Sequence, residues 1–381
     1  MKVLITTDLY AINTNGVVTS TKNLQDELLR RGHDVRVLTL SENIHSHRDG
    51  IVYYIRSMPI GVYGNMRMPL SYRHELIDEI IEWKPDVIHS QCEFFSFQFA
   101  LRVSKKTGAP IVHTYHTMYE HYATYVIPSK RVGSSLVKLL SRKRLEKVEC
   151  VVAPTHKVES TLQGYGMKND ISVVPSGIDL EQHHKRLSPE ARKAKREALG
   201  ISDSDKVLIN LGRLGTEKNL EELIDLFAEA SKANDSLVFL IVGDGPAKKS
   251  LETRATELGI SDRVIFTGMV NPSEVQEYYQ LGDVFVSAST SETQGLTYIE
   301  AAANGLPLLC RQDDCLNDII ESGKNGYEYT DADEFFKNIE NIMHDPDWIN
   351  TAGKRSEEIA ATFDKKAFGD AIEKIYESVI Q

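Results

Sequence analysis

Short apolar segments alternate with amphipathic segments along this 381-residue chain, and this alternation restricts the possible folds more than any other feature. Lys2–Thr7 is an apolar run typical of a buried parallel strand, and Val17–Arg31 carries leucines at helical spacing. Gly32 provides a left-handed helix end before the next strand, Val35–Leu40. Repeated strand–helix units favour α/β architecture with parallel sheets covered by helices on both faces.

The alternation is interrupted once, at the polar and weakly periodic segment Ser176–Ser204, and resumes at the strand Val207–Leu211. A chain of this length exceeds what one hydrophobic core usually holds. We therefore expect two α/β domains, at 1–180 and 181–363. The terminal helix, 364–381, is expected to pack back on the first domain.

Composition excludes several classes of protein. The net charge is −11, yet residues 1–180 hold 22 Lys and Arg against 18 Asp and Glu, whereas 181–381 hold 22 against 37. Neither half carries an RNP, helix-turn-helix or zinc-finger pattern, so no nucleic-acid partner is expected. No apolar run approaches the roughly 18 residues of a membrane span, and the apolar start is too short for a signal peptide. Together with only four cysteines, this predicts a cytoplasmic protein.

Ligands of open parallel sheets bind at the carboxyl ends of the strands, so the loops after strands are the places to look for a site. In the loop Gly212–Asn219, Arg213 and Lys218 flank a turn that leads into a helix. Two cations at a helix N-terminus are suited to a diphosphate. The alternative is a solvated surface pair.

The strongest signal is Ser291–Ala301, which carries Glu292 and Glu300 around the start of a helix. Backbone N–H groups at Gly295, Leu296 and Thr297 are expected to face the ligand. Sugar hydroxyls are good partners for carboxylates in such a place. Stabilisation of the helix dipole would explain Glu292 but not Glu300.

Two glycine loops carry weaker signals. Gly16, before the first helix, either admits a phosphate or an acceptor to the backbone or serves only the turn. Gly243, in Gly243-Asp244-Gly245-Pro246, either borders a nucleotide base or forms only a tight strand-to-helix turn.

Three histidines, His113, His116 and His121, follow one predicted strand. Positions 113 and 116 lie on opposite faces of a strand, which disfavours joint chelation of a metal. His116 is instead a candidate contact for a reacting sugar, and a buried structural role is the alternative. Because no Asp-x-Asp metal motif is apparent at a site that would need it either, we expect no essential metal and no other cofactor.

Together these motifs resemble glycosyltransferase family 4, retaining enzymes with the GT-B fold, in which two Rossmann-like domains face each other across a deep cleft. The resemblance covers nearly the whole chain, and it implies that the domain at 1–180 binds the acceptor and that the domain at 181–363 binds the nucleotide sugar. Its motifs are the Gly16 loop, Arg31–Val35, Pro85–His89, His113–Thr117, Val174–Asp179, Gly212-Arg213 with Lys218, Gly243–Pro246, and Glu292 with Glu300.

The resemblance implies roles for these residues. Those matching Arg213 and Lys218 hold the diphosphate of a UDP-sugar donor, Glu300 binds the ribose, and Glu292 binds hydroxyls of the transferred sugar. The remaining contacts it implies are Gly16 near the phosphates, the backbone of Gly295, Leu296 and Thr297, and His116 at the sugar. Gln294 stands where many members carry Phe, which alters the wall beside the sugar.

The segment His113–Tyr125 looks like that of bacterial 1,2-diacylglycerol 3-glucosyltransferases. This likeness implies transfer of glucose from UDP-glucose to a lipid such as diacylglycerol, by a peripheral enzyme at the inner face of the cell membrane. A soluble or other glycan acceptor is the nearest alternative. A sugar-nucleotide epimerase and an inactive donor-binding subunit are further ones.

Ser129–Glu149 is basic and amphipathic, with cations interleaved among leucines and valines. Such a helix is suited to an anionic membrane surface. The alternative is a helix that packs its apolar residues in the core and exposes only a basic face. The nearby Phe94, Phe95, Phe97 and Phe99 are expected to belong to the core.

Overall fold

A computed structural model of the chain describes residues 1–10, 15–60, 66–120 and 130–380. The chain divides into two compact units. The first contains Met1–Gly177 together with Lys365–Gln381, and the second contains Ile178–Asp364. Each unit is built around its own mainly parallel sheet.

The first unit's sheet has the strand order β3-β4-β2-β1-β6-β7-β8-β9, with β5 paired to β4. All its pairs are parallel except β3 and β5 with β4. Its central strands are buried because helices cover both faces, as their continuous apolar runs predict. The strands are β1 Lys2–Thr6, β2 Asp34–Ser41, β3 His47–Asp49, β4 Val52–Pro59, β5 Arg67–Pro69, β6 Val87–Ser90, β7 Ile111–Thr114, β8 Cys150–Ala153 and β9 Asp170–Val173.

The described helices of this unit include one from the far end of the chain. They are α1 Gly16–Arg30, α2 Glu75–Trp83, α3 Phe95–Thr107, α4 Lys130–Leu145, α5 His156–Gly164 and the C-terminal α14 Lys365–Val379. Helix α14 packs on α1 so closely that a Cβ on Gly369 would lie 2.4 Å from Glu27 Cγ. Arg31 bonds both Asp370 and Glu373, at 2.6 and 2.9 Å.

The second unit's sheet is parallel throughout, in the order β12-β11-β10-β13-β14-β15. Its strands are β10 Lys206–Leu211, β11 Leu237–Val242, β12 Val264–Gly268, β13 Val284–Ser287, β14 Leu308–Arg311 and β15 Gly326–Tyr329. Its helices are α6 Leu180–His183, α7 Pro189–Ala198, α8 Leu220–Ala233, α9 Lys248–Glu257, α10 Val275–Tyr279, α11 Leu296–Ala303, α12 Ala332–His344 and α13 Pro346–Ala360. Apolar clusters fill both faces of the sheet.

The α/β class and the strand–helix alternation predicted from the sequence are confirmed, and the differences are local. The sequence predicts one short helix within Ser176–Ser204, and the structure has two there, α6 and α7. The sequence also predicts a helix over Ser273–Leu281, which is shortened to α10 because a 3₁₀ turn at Pro272–Glu274 precedes it. Five elements were not predicted: β3, β5, α5, β15 and α12.

Candidate functional site

In the second unit, two glycine loops follow β10 and β11 and touch through their backbones. Gly212 and Gly243 have φ values of 150° and 135°, which favour glycine. A Cβ on Gly243 would lie 1.9 Å from the Gly212 carbonyl oxygen. The Leu214 amide donates to the Asp244 carbonyl at 3.0 Å. The tight-turn interpretation therefore accounts for Gly243, which joins this loop to the one that carries Arg213.

Arg213 and Lys218 are each bonded to a carboxylate. The Arg213 guanidinium donates to Glu217, and Lys218 Nζ lies 2.5 Å from Glu292 Oε1. The sequence analysis expected both cations to meet one diphosphate and did not foresee these partners. A diphosphate that binds here therefore has to compete with carboxylates for its cations.

Glu217 was missed by the sequence analysis, although it lies directly before Lys218. Its side chain is 4% exposed, and it lies so close to Gly215 that a Cβ there would be 2.3 Å from Glu217 Oε1. Ser291 Oγ donates to the Glu217 carbonyl at 3.0 Å, which ties this turn to the Glu292 loop. The sequence offered little signal for the pair, because Arg213 lies in the loop before the 3₁₀ turn Thr216–Lys218 and the helical i,i+4 rule does not apply there.

The Glu292 loop leads into α11 through Gly295. This glycine has φ 75°, and a Cβ on it would lie 2.3 Å from the Tyr298 ring. Among the described residues, no side chain caps the start of α11. The amides of Leu296 and Thr297 at this helix start belong to the first turn, where a helix has no internal acceptors. The helix end thus offers backbone donors and a partial positive charge to an anion.

Glu300 lies in the second turn of α11, nearer the helix start than the two turns that the sequence suggested. Tyr279 donates to Glu300 Oε2 at 2.9 Å. Burial raises the pKa of Glu300 to about 7, although the hydrogen bond from Tyr279 opposes the rise. Further hydroxyl donors to this buried carboxyl group would favour its charged form and lower its pKa.

This edge of the second sheet therefore combines two cations, a helix start and two carboxylates. Such a set can bind a ligand that carries both anionic oxygens and hydroxyls, as a nucleoside diphosphate sugar does. Among the residues that the structure describes, no group of three or more His, Cys, Asp or Glu side chains is arranged to hold a metal ion.

In the first unit, His116 lies beyond the end of β7. The sequence analysis had placed it on the strand. Its Nε2 lies 2.7 Å from Gln91 Oε1. Burial lowers the pKa of His116 to about 3, and the charge of nearby His113 acts in the same direction. The imidazole is therefore neutral at physiological pH.

His113 belongs to a separate buried group. Its Nε2 lies 3.1 Å from Glu93 Oε1, and Tyr119 donates to the other oxygen of Glu93. Gln91 and Glu93 both follow β6, so the search of loops after strands would have reached them. His121 lies outside the described residues.

Helix α1 begins at Gly16, and the Asn15 side chain accepts from the Val18 amide at 2.9 Å. Asn15 thus satisfies one amide of the first turn. Residues 13 and 14 of the predicted loop lie outside the described part of the chain, and no contact of Gly16 beyond the helix decides between its two interpretations.

Helix α4 exposes part of its apolar surface. Leu136, Leu139 and Leu140 are 42%, 42% and 41% exposed, whereas Leu145 is fully buried. Three exposed leucines on successive turns form one face, which we call the leucine face of α4. The alternative, in which the helix packs its apolar residues in the core, does not fit this face. Ser129 and the side chains of Lys130 and Arg131 lie outside the description.

The cations of α4 differ in their surroundings. Lys138 and Lys143 are exposed, whereas Arg142 pairs with Glu146 at 3.4 Å and the Arg144 guanidinium lies over the Phe94 ring. Phe97 and Phe99 are fully buried, as expected for core residues. Across the helices that the structure describes, none is long and apolar enough to cross a membrane.

Comparison with known proteins shows that this chain is similar to enzymes that transfer sugars. Residues 14–182 match the family described as Glycosyltransferase Family 4, and residues 191–369 match Glycosyl transferases group 1. An alpha-monoglucosyldiacylglycerol synthase of Streptococcus pneumoniae is 33% identical over 99% of this chain and 85% of its own length. The synthase of that name from Acholeplasma laidlawii is 30% identical over 100% and 98%.

A solved structure shares the fold over the full chain. The Anabaena protein HepE, in complex with UDP and glucose, superimposes with a TM-score of 0.79 at 19% identity, covering 99% of this chain and 100% of its own. The likeness supports two Rossmann-like domains with parallel sheets, the GT-B arrangement that the sequence predicted.

Proposed function

This chain belongs to glycosyltransferase family 4, and we propose that it is a retaining glucosyltransferase that moves glucose from UDP-glucose to a lipid acceptor such as diacylglycerol. The observation that carries the proposal is full-length similarity to two alpha-monoglucosyldiacylglycerol synthases. The chain is a glycosyltransferase with the GT-B fold. The donor, the stereochemistry, the acceptor and the site at the membrane are the proposed parts.

In this proposal Arg213 and Lys218 hold the donor's diphosphate together with the start of α11. Glu217 orients the Arg213 guanidinium, and Glu292 keeps Lys218 beside the sugar-binding loop. Negative charge develops on the diphosphate as its bond to the sugar breaks, so fixed cations and amide donors stabilise the transition state more than the ground state. Gly16 would supply a further close approach to the phosphates.

The carboxylates bind the neutral parts of the donor. Glu300, held by Tyr279, accepts from the ribose hydroxyls, and Glu292 accepts from hydroxyls of the glucose. The backbone amides of Gly295, Leu296 and Thr297 complete this contact. Gly243 supports the phosphate loop through the backbone contact with Gly212.

His116, neutral because of its low pKa, contacts a hydroxyl of the glucose. In the transfer, the acceptor oxygen bonds to the anomeric carbon on the face that the diphosphate leaves, so the configuration is retained. The acceptor's hydroxyl proton passes to the departing diphosphate. Protein cations neutralise the phosphates in this scheme, so we propose no essential metal and expect activity to survive excess EDTA.

The leucine face of α4 supports a lipid acceptor. Exposed leucines flanked by Lys138 and Lys143 provide apolar area for the interface and positive charge for anionic headgroups. We propose that the enzyme docks peripherally on the inner face of the cell membrane through this helix.

The test measures UDP release from UDP-glucose in three reactions: without an acceptor, with diacylglycerol in phosphatidylglycerol vesicles, and with soluble sugars or glycans. The expected result is release that requires diacylglycerol and yields an α-linked glucolipid. Turnover with a soluble acceptor alone would favour the second candidate function. Release without any acceptor would favour an enzyme that hydrolyses the donor, whereas a sugar-nucleotide epimerase that isomerises the donor would change the sugar without releasing UDP.

A further inference from the structure

Close to Lys218 along the chain, an acidic side chain joins the start of α8 to the end of β14. Glu222 lies in the first turn of α8, and its Oε2 accepts from Asn219 Nδ2 at 2.5 Å. Its other oxygen, Oε1, accepts from Arg311 Nη1 at 2.7 Å. Arg311 is the last residue of β14. Both oxygens of the carboxylate are therefore hydrogen-bonded, and we call Asn219, Glu222 and Arg311 the Glu222 clamp.

Stabilisation of the helix dipole does not by itself account for this clamp. An acidic residue in the first turn of a helix is favoured by the dipole, and Glu222 occupies such a position. That effect needs no partner. The ion pair with Arg311 joins residues 89 positions apart, and the Arg311 guanidinium also lies over the Tyr329 ring, 6.0 Å from its centre. The clamp thus fixes the start of α8 against the ends of β14 and β15.

Asn219 has a backbone conformation that benefits from such a contact. It ends the 3₁₀ turn Thr216–Lys218 with φ 54° and ψ 34°, in the left-handed region that costs most residues free energy. Among the described residues, Lys84 is the only other non-glycine residue with a positive φ. The bond to Glu222 holds the Asn219 side chain where this left-handed backbone places it, and so stabilises the end of the turn.

The turn that carries Lys218 is therefore held both before and after this residue. Before it, Ser291 Oγ donates to the Glu217 carbonyl at 3.0 Å. After it, the Glu222 clamp holds Asn219. Between these two fixed points, Lys218 extends its side chain to Glu292 Oε1 at 2.5 Å. The direction in which this side chain leaves the backbone follows from the conformation of the turn.

We propose that Glu222 and Arg311 are positioning residues for Lys218: they fix Asn219 in its left-handed conformation, which holds Lys218 Nζ where the donor's diphosphate binds. The inference rests on the proposed function, which places Lys218 at the diphosphate. It gives Glu222 and Arg311 no contact with the donor. Their effect on nucleotide binding must therefore pass through Lys218, and this dependence can be measured.

The first experiment is a double-mutant cycle on UDP affinity, measured by calorimetry. Glu222→Ala and Arg311→Ala should each weaken UDP binding by about fivefold, the upper end of what a partly exposed ion pair contributes. In a Lys218→Ala background the same changes should have no further effect, because the residue through which they act is absent. Asp225→Ala is the matched control: Asp225 also lies on α8, pairs with Arg254 at 2.7 Å, and should leave UDP affinity unchanged when replaced.

The sign of the Glu222→Ala effect separates positioning from long-range electrostatics. Removal of a negative charge near the site would by itself strengthen the binding of an anion. The positioning role predicts the opposite, a loss of affinity, because Lys218 is no longer held in place.

The second experiment needs neither nucleotide nor acceptor. Acetic anhydride modifies lysine amines, and mass spectrometry of the peptides gives the rate at each lysine. Lys218 Nζ is held at Glu292, so it should react slowly in the wild type and several times faster in Glu222→Ala, relative to the exposed Lys232 of the same protein. Asp225→Ala should leave this ratio unchanged, and thermal melting checks that each variant folds.

Unchanged or higher UDP affinity in Glu222→Ala, or an equal loss in the Lys218→Ala background, would overturn the inference. The same reactivity of Lys218 in Glu222→Ala as in the wild type would also overturn it. If the wild-type protein binds no UDP, the proposed function fails, and the labelling rates still decide whether the Glu222 clamp positions Lys218.

Discussion

The polar residues at the carboxyl ends of the two sheets differ in their charge and in their exposure to solvent. In the second unit the loops carry full charges that are partly accessible, with Lys218 26% and Glu292 17% exposed. In the first unit the corresponding residues are His113 near the end of β7, Gln91 and Glu93, all nearly inaccessible, and a neutral His116. Charged groups that keep access to solvent can pair with phosphates, whereas buried polar groups need hydrogen-bond partners within the protein.

The difference extends to the outer surfaces of the units. Residues 181–381, most of which form the second unit, hold 22 cationic against 37 acidic side chains, while the first unit exposes cations and leucines on α4. The proposed function assigns the lipid to the first unit and the nucleotide to the second. The predictions below test this division.

The largest effect is expected at the two cations of the second unit. Arg213→Ala and Lys218→Ala should each lower kcat/KM by about 10²-fold or more, because each removes charge that stabilises the leaving diphosphate. Steady-state UDP release measures this. Lys232→Ala is the control and should behave as wild type, because Lys232 lies on the exposed side of α8 and pairs with Glu229 of the same helix. Near-wild-type turnover in either site variant would contradict the phosphate assignment.

The two carboxylates should separate sugar transfer from nucleotide binding. Glu292→Ala should lower transfer by about 10²-fold and leave UDP affinity nearly unchanged or slightly higher, because Lys218 loses a competing carboxylate. Glu300→Ala should weaken UDP binding by about tenfold, the order of one hydrogen bond to a charged group, and should lower transfer as well. Calorimetry with UDP tests this; equal losses of affinity would remove the distinction.

The pH dependence of UDP binding should report on Glu300. Burial raises the pKa of Glu300 to about 7, so the carboxyl group is mostly protonated in the free protein below that pH. Ribose hydroxyls favour the charged form, so UDP affinity should rise as pH increases from 6 to 8, by up to about tenfold per unit below the pKa.

Glu300→Gln is the control for this measurement, since it keeps the shape of the side chain and cannot ionise. The ionisation of UDP itself, with a phosphate pKa of about 6, contributes equally in both proteins. Identical slopes for wild type and Glu300→Gln would exclude Glu300 from the nucleotide site.

The smallest effect on the chemical step is expected from changes to α4, which should act on membrane binding. Co-sedimentation with phosphatidylglycerol vesicles should fall when Lys138, Arg142, Lys143 and Arg144 become Ser, since each cation near an anionic surface contributes about 1 kcal/mol. Salt should reproduce this loss. Replacing Leu136, Leu139 and Leu140 by Ser should lower the salt-resistant part of binding.

A matched set of exposed cations in the second unit provides the control for charge: Lys193, Lys232, Lys249 and Lys324 changed to Ser. That variant should bind vesicles as the wild type does. Equal losses from both quadruple variants would mean that net charge, and not α4, directs the protein to the surface.

Much of the architecture was predictable because it depends on local pattern. The sequence predicts strands at Cys150–Ala153, Leu237–Val242 and Val284–Ser287, and these are the bounds of β8, β11 and β13. An apolar run between turn signals is enough to predict a buried parallel strand. The edge strand β15, which is only half-buried along its middle, lacks such a run and was missed. Helix α12 was missed although Phe335, Ile339 and Ile342 repeat at helical spacing, so in that case the signal was present.

By itself the sequence determined the α/β class, the family and the candidate residues Arg213, Lys218, Glu292 and Glu300, because strand–helix periodicity and loop motifs are local. Only the tertiary structure decided the partners of these groups. The bond from Lys218 to Glu292 spans 74 residues, and the contact of His116 with Gln91 spans 25. Such pairs arise where neighbouring parallel strands bring distant loops to one edge of a sheet, and the strand order that does so is set by packing of the whole unit.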